Sequence, residues 1–338
     1  MSNRRWILKR RPVGGFKDGD LEFAEEAIPA PGEGEALVEN LYLSIDPTHR
    51  IWMTDVAQYS TPVALGAVMR GYTIGRVLES KSETLKAGDI VFGRGDWQEY
   101  YRAKAKALTK VARQGDLPLH VHLGPLGNTG ATAYFGLLDI GHPKPGETVL
   151  VSAAAGAVGS IVGQIAKIKG CRAVGLAGSE AKRRWLIDEL GYDAALNYRD
   201  GNLLEAVRAA CPHGIDIYFD NVGGEALEAA LTLANLHARI VICGAISTYD
   251  DIVEASGPRM FRNVLMQRLR IEGFIVSDYW PRFPEAFAAI GGWIDEGRVK
   301  YRMDVRGPLA EAPNALKALF SGGNDGKLVV RVRDDQAD

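Results

Sequence analysis

The segment Ala153-Ala-Ala-Gly-Ala-Val-Gly-Ser160 contains the spacing Ala154-x-Gly156-x-x-Gly159. It is a variant of the glycine fingerprint that cradles a dinucleotide. Gly156 would let the backbone approach a pyrophosphate, and Gly159 would let the following helix pack closely on its strand. The start of that helix would add unpaired N–H donors and partial positive charge. Alone, the spacing also fits a strand-to-helix turn that binds nothing, so its surroundings decide. NAD enzymes usually carry an acid roughly 20 residues further on, which takes the ribose 2′-hydroxyl. Here the chain reads Gly178-Ser179-Glu180-Ala-Lys182-Arg-Arg184. No acid stands at the expected strand end, and Glu180 suits a first helical turn. Lys182, Arg183 and Ser179 suit a 2′-phosphate, so the cofactor expected is NADPH. Arg184 reads as a solvated helix face.

A second chemistry, metal-assisted reduction, needs clustered soft ligands. The three cysteines, Cys171, Cys211 and Cys243, are far apart. They form neither a disulfide framework nor a structural zinc lobe. Of the six histidines, only His120 and His122 would share one strand face. A lone pair of that kind is more often structural, and no metal site is expected.

These residues need elements to position them. Thr148–Ala153 is a continuous apolar strand and Val158–Lys169 a helix. Strands follow at Ala173–Ala177, Ala194–Tyr198, Ile215–Asp220, Arg239–Cys243 and Leu269–Val276, with helices at 180–190, 203–210 and 224–233 between the first four of these. Asn128–Ile140 reads as a further helix. Apolar strands alternating with helices predict a doubly wound parallel sheet of six strands. The region before about Arg113 reads instead as short strands punctuated by glycines, a barrel-like or sandwich domain. Lys327–Val332 is one more strand, after a helix at 315–320. The expected organisation is a β-rich domain from 1–125 and 310–338, interrupted by a dinucleotide-binding domain at 126–309.

The 338 residues are 46% hydrophobic and 24% charged, with a formal net charge of −2. No basic excess points to nucleic acid or an anionic membrane. No apolar run approaches a membrane span, and no signal-peptide core is present. A cytoplasmic location is the default expectation.

The chain resembles the medium-chain dehydrogenase/reductase superfamily, and within it the zinc-free prostaglandin reductases and alkenal double-bond reductases. The resemblance runs through 146–160, Gly163–Lys167, Gly175–Ser179, Phe219–Gly224, Cys243–Ser247 and Glu272–Val276. It extends to Thr132–Leu137 and Gly323–Lys327. It implies a β-rich domain of the GroES-like type and a homodimer, for which the sixth strand region, Arg270–Val276, offers an edge where two sheets could pair. It also implies that Gly156, Ala157, Val158 and Gly159 line the pyrophosphate. Ser179 and Lys182 would meet the 2′-phosphate, with Tyr198 near the adenosine. Asn221 would contact the cofactor beyond the fourth strand. Cys243, Gly244, Ala245, Ile246, Ser247, Thr248 and Tyr249, with Phe274, Ile275 and Val276, would flank the nicotinamide half. Asn324 would reach the cofactor from the returning C-terminal segment. Structural readings stand beside these: Asn221 as a helix cap, Cys243 as a small strand residue, Phe274 as core and Asn324 as a turn former. The family's Asp-Pro-Tyr-Met-Arg segment is replaced here by Asp46-Pro-Thr-His-Arg50. Thr48 thus stands in place of a phenol expected near the substrate.

The activity implied is reduction of the C=C bond of α,β-unsaturated aldehydes or ketones. Hydride adds to the β-carbon, and negative charge develops on an oxygen that hydrogen-bond donors can hold. Tyr249 is the first candidate donor, with a cofactor-packing loop aromatic as its other reading; Tyr59 and Tyr72 come second. An NADPH quinone oxidoreductase is the alternative enzyme. A non-catalytic NADPH-binding redox sensor or structural protein is the alternative of another class.

Overall fold

The computed structural model describes residues 2–56, 58–112, 115, 117–250 and 256–335. The chain divides into two compact units: Met1–Leu123 with Met303–Asn324 and Leu328–Asp338, and Gly124–Arg302 with Asp325–Lys327.

The first unit opens on an antiparallel pair, β1 (Ser2–Leu8) and β2 (Leu21–Ala27). Then come β3 (Glu35–Ser44), a short helix α1 (Thr48–Trp52), β4 (Thr73–Ser80), β5 (Ile90–Gly93), β6 (Tyr100–Lys104) and β7 (Thr109–Lys110). β3 is the spine of the second sheet and pairs antiparallel with both β4 and β6. Its inward residues, Ala36 and Val38, join Val77, Val91 and Tyr101 in a buried cluster. The alternation of apolar and polar residues predicts one-sided burial over the first half of β3, whereas Asn40 to Ser44 are buried throughout. His120 and His122, expected on a strand face, lie instead on a 3-10 turn, Leu119–Leu123.

In the second unit α2 (Asn128–Phe135) leads into β8 (Thr148–Val151) and α3 (Gly159–Ile168). There follow β9 (Arg172–Ala177), α4 (Glu180–Arg184), β10 (Ala194–Asn197), α5 (Leu203–Ala210), β11 (Ile215–Asp220) and α6 (Gly224–Leu233). β12 (Ala234–Ile242), α7 (Arg262–Met266), β13 (Arg270–Gly273) and α8 (Phe283–Asp295) complete it. The sheet order is β10-β9-β8-β11-β12-β13, every pair parallel. This is the expected doubly wound sheet. β8 is buried at all four residues, which explains its unbroken Thr-Val-Leu-Val composition.

Two strands depart from expectation. β12 begins five residues earlier than Arg239, because a register shift and the left-handed His237 (φ 64°) let the polar Asn235–His237 stretch stay in the strand. β13 ends at Gly273, because Phe274 turns its ring toward Gly136 and a 3-10 helix follows at Val276–Arg282. The chain then returns through β14 (Met303–Arg306), α9 (Ala312–Ser321) and β15 (Lys327–Arg331), which pairs with β3. No helix among the described residues is long and apolar enough to cross a membrane.

Candidate cofactor and active site

Six residues stand directly after the last residues of the six parallel strands: Ser152, Gly178, Tyr198, Asn221, Cys243 and Phe274. Because the strands are parallel, all six lie along one edge of the sheet. β8 and β11 are neighbours, with the chain running outward from them in both directions. In open α/β sheets a ligand binds outside the carboxyl ends of the strands at such a reversal point.

The cradle sits at that point. Ala153 adopts the left-handed backbone (φ 47°) that turns the chain out of β8. Gly156 N–H donates to the Ala153 carbonyl at 2.9 Å, closing the turn. Gly159 opens α3 where a side chain has no room: an added Cβ would lie 2.4 Å from the Ala153 oxygen and 2.8 Å from the Ala154 Cα. Tyr192, buried between α3 and β9, donates its hydroxyl to the Gly159 carbonyl at 2.6 Å. Gly156 and Gly326, both in the second unit, form an isolated parallel bridge. Asn324 lies two residues before that bridge, in the segment belonging to the first unit.

The ends of β8 and β11 are tied together by a buried polar network. Asp220 Oδ1 accepts from the Tyr218 hydroxyl (2.8 Å), Ser152 Oγ (3.2 Å), Val222 N–H (2.9 Å) and Gly223 N–H (2.8 Å). Burial raises the Asp220 carboxyl above its usual range, against the pull of those donors. Asn221 Nδ2 donates to the Ser152 carbonyl at 2.8 Å. Its side chain therefore fixes the crevice wall rather than capping α6, whose N-cap is Gly223 with no side-chain hydrogen bond. Ser152 and Asp220 escaped the sequence reading. The available signal was an ionisable residue ending an apolar strand.

The loop after β12 folds onto this wall. Ser247 Oγ donates to the Val222 carbonyl at 2.6 Å, and a 3-10 turn spans Ile246–Thr248. Thr248 Oγ1 donates to the Ala245 carbonyl at 2.8 Å. Tyr249 comes back over the loop, so that its hydroxyl accepts from Ala245 N–H at 3.2 Å beside Gly244. Cys243 is partly exposed as a residue, but its thiol is pushed up to about 12 by burial, reinforced by the Asp220 charge. It is a neutral thiol at physiological pH. Ile275 and Val276 follow Phe274 on the same edge, half-buried. The Phe274 ring itself converges with Phe219 on Gly136, so that side chain is spent on packing.

At the end of β9, Ser179 caps α4, its Oγ accepting from Lys182 N–H at 3.3 Å. The Tyr198 ring lies across Gly178, whose added Cβ would meet the phenol oxygen at 2.8 Å. Thus Ser179, Lys182 and Tyr198 are brought together at one corner of the edge.

In the first unit, Thr48 begins α1, and its hydroxyl hydrogen-bonds the Tyr59 hydroxyl. His49 is fully buried, with ring centroids 5.2 Å from Trp52 and 5.5 Å from Trp97. Tyr72 stacks on Phe92 at 5.4 Å. Among the described residues no three His, Cys, Asp or Glu side chains are grouped so as to hold a metal.

Comparison with known proteins agrees with this geometry. Residues 4–111 match the family model described as the N-terminal domain of oxidoreductase, and residues 157–291 match that of zinc-binding dehydrogenase. An NADPH-dependent curcumin reductase of Escherichia coli is 43% identical over 340 residues, spanning 98% of each chain. The chain belongs to the medium-chain dehydrogenase/reductase superfamily. It falls in the group that holds the curcumin, 2-alkenal and prostaglandin reductases, and it is an oxidoreductase. A 2-alkenal reductase (NADP(+)-dependent) of Nicotiana tabacum is 41% identical, over 98% of both chains. The structure of CurA from Vibrio vulnificus in complex with NADPH superposes with a TM-score of 0.92 at 38% identity, over 98% of this chain and 99% of the other.

Proposed function

We propose that the protein is an NADPH-dependent reductase that saturates the C=C bond of α,β-unsaturated aldehydes and ketones in the cytoplasm. What carries the reading is the end-to-end likeness to curcumin and 2-alkenal reductases, on a sheet whose carboxyl edge has the cradle and no acid at the end of β9. The residues present fit the cofactor: the cradle is kept open at Gly156 and Gly159, where a Cβ would press on the turn. Gly156 to Gly159 hold the pyrophosphate, Ser179 and Lys182 the 2′-phosphate, and Tyr198 the adenosine side. Asn221, Cys243 to Tyr249 and Phe274 to Val276 border the nicotinamide half, and Asn324 contributes from the returning segment.

When bound, NADPH supplies the hydride that lands on the β-carbon. The chain's part is to hold the negative charge that develops on the carbonyl oxygen, which hydrogen-bond donors can do without a metal. Tyr249 is the donor we assign. Its oxygen accepts from Ala245 N–H, which strengthens the O–H as a hydrogen-bond donor. The α-carbon takes its proton from water or a weak acid.

Product analysis of a simple enone by mass spectrometry and NMR tests this. A saturated ketone is expected, whereas an allylic alcohol would refute it. Activity retained after exhaustive chelation is expected as well, and loss of turnover with stoichiometric zinc would overturn the metal-free mechanism.

The assembly proposed is a homodimer. β13 is exposed at all four residues on the outer edge of the sheet, and Phe261 (60%) and Leu265 (71%) stand exposed in the elements before it. An unpaired sheet edge, here beside exposed apolar side chains, is normally covered.

A further inference from the structure

Three stretches of the second unit are joined beside the cradle: α3, the segment that ends at Arg302, and Asp325–Lys327. Gln164, buried on α3, grips the second of them by its backbone. Its Oε1 accepts from Lys300 N–H and its Nε2 donates to the Lys300 carbonyl, each at 2.8 Å. The same Nε2 donates to the Ser160 carbonyl at 2.8 Å, and Ser160 N–H donates to the Gly156 carbonyl at 3.0 Å. Residue 300 is therefore fixed on the helix that the cradle opens.

Arg302, two residues on, holds the third stretch through both backbone and side chain. Its carbonyl accepts from Lys327 N–H at 2.9 Å. Its guanidinium donates through Nη1 to Asp325 at 3.2 Å and through Nη2 to Glu189 at 2.6 Å. The same group lies over the Trp185 ring, 4.6 Å from its centroid. Trp185 is itself buried, in the helical turn Trp185–Glu189 that follows α4. A planar fork shared between two carboxylates and seated on a ring face has a fixed geometry that a lysine cannot reproduce. Gly326, between the two residues so held, has a left-handed backbone (φ 79°), and an added Cβ would lie 2.3 Å from the Arg302 oxygen. This glycine is the one that bridges Gly156 of the cradle.

We infer that Arg302 is a positioning residue for the cofactor: by clamping Asp325–Lys327 it keeps Gly326 on Gly156, and so fixes the turn that receives the pyrophosphate. The inference rests on the dinucleotide reading above. An isolated surface ion pair contributes little, whereas several charges joined in one network contribute more. Here two carboxylates, a buried ring and a backbone hydrogen bond all converge on one residue, so its loss releases a segment and not merely a side chain.

The test is calorimetric titration of wild type, Arg302→Met and Arg302→Lys with NADPH, NADH and 2′,5′-ADP, with melting curves and hydrogen exchange of the cofactor-free proteins. Methionine keeps an unbranched stem against Trp185 and removes the fork. Arg302→Met should bind NADPH and NADH about 10-fold more weakly, by the same factor, because the pyrophosphate is common to both. The fragment 2′,5′-ADP, which keeps the adenosine end and one of the two bridging phosphates, should lose about 3-fold or less. Amide exchange should quicken at Asp325–Lys327 and stay as in wild type across the rest of the sheet. Arg302→Lys should recover part of the affinity. If wild type binds neither dinucleotide, the cofactor reading falls and this inference falls with it. If wild type binds them and Arg302→Met binds them equally well, the Arg302 assignment is wrong and the cofactor reading stands. A loss for 2′,5′-ADP as large as that for NADPH, with exchange quickened throughout, also overturns it, because Arg302 then serves the stability of the whole unit. Should Arg302→Met fail to fold, Arg302→Lys and Asp325→Asn decide: weaker NADPH binding at an unchanged melting temperature supports the clamp, and wild-type affinity in both overturns it.

Discussion

Replacing each cradle glycine by alanine should separate folding from binding. In Gly159→Ala the new Cβ would sit 2.4 Å from the Ala153 oxygen, 2.8 Å from the Ala154 Cα and 3.0 Å from the Ala153 carbonyl carbon. All three are backbone atoms, and none can swing aside as a side chain would. Carbon contacts relax at about 3.5–4.0 Å, so the first turn of α3 must retreat by roughly 1 Å. That retreat stretches the 2.6 Å bond from Tyr192 to the Gly159 carbonyl. Tyr192 cannot simply follow, because its ring lies against Gly163 and Gly175. Overpacking of this kind costs about 1–3 kcal/mol. The gain in helix propensity from alanine, at most about 1 kcal/mol at a first-turn position, offsets only part of it. The pyrophosphate donors move with the turn, so NADPH binding should weaken by about 10–100-fold. In Gly156→Ala the new Cβ meets one atom tightly, the Ala153 oxygen at 3.1 Å, and then nothing nearer than 4.0 Å. Stability should stay within about 1 kcal/mol of wild type, while NADPH binding still falls because a Cβ now stands where the pyrophosphate approaches. Thermal and denaturant unfolding read the first effect, and cofactor titration reads the second. A Gly159→Ala protein as stable as wild type, or a Gly156→Ala protein less stable than Gly159→Ala, would refute the packing argument.

Three further outcomes are expected. Tyr249→Phe should lower kcat with an enone by about 10–100-fold, leaving NADPH affinity nearly unchanged; an unaltered kcat would remove Tyr249 from the mechanism. Asp96, left-handed at φ 59° and beside Arg94 and Gly71 N–H, has its carboxyl raised to about 6 by burial. A folded value above the unfolded 3.8 means that this contribution to stability is full below pH 3.8 and is lost as pH rises from there through about 6. Asp96→Asn, which keeps an acceptor and tolerates the same backbone, should therefore gain about 2 kcal/mol over wild type between pH 4 and 7; parallel stability curves would contradict it. Light scattering at micromolar concentration should show a dimer, and a charge placed on the exposed edge by Ile271→Glu should shift it toward monomer.

Much of the cofactor corner is legible in the chain itself, because a parallel strand buried on both faces must be an apolar run. Thr148–Val151 and Ile215–Asp220 announce themselves that way, and the residues that follow such runs share one edge of the sheet. The fingerprint adds two glycines at a fixed distance from the first strand. Local pattern misleads where a strand is not buried on both sides. β12 carries Asn235 and His237 through a bulge, and β13 lies exposed at the edge, so neither shows its true limits. Long-range packing leaves no local trace at all. Nothing near Phe274 says that its ring meets Gly136, and nothing near Gly326 says that it bridges Gly156. The same holds for charge: Lys182, Arg183 and Arg184 look alike in sequence, whereas Arg199 sits on a different strand end. Which cations Glu180 claims, and which one lies on the Tyr198 ring, depends on the parallel register of β9 and β10. Spacing along one element dictates the cradle; only the pairing of separate elements decides what surrounds it.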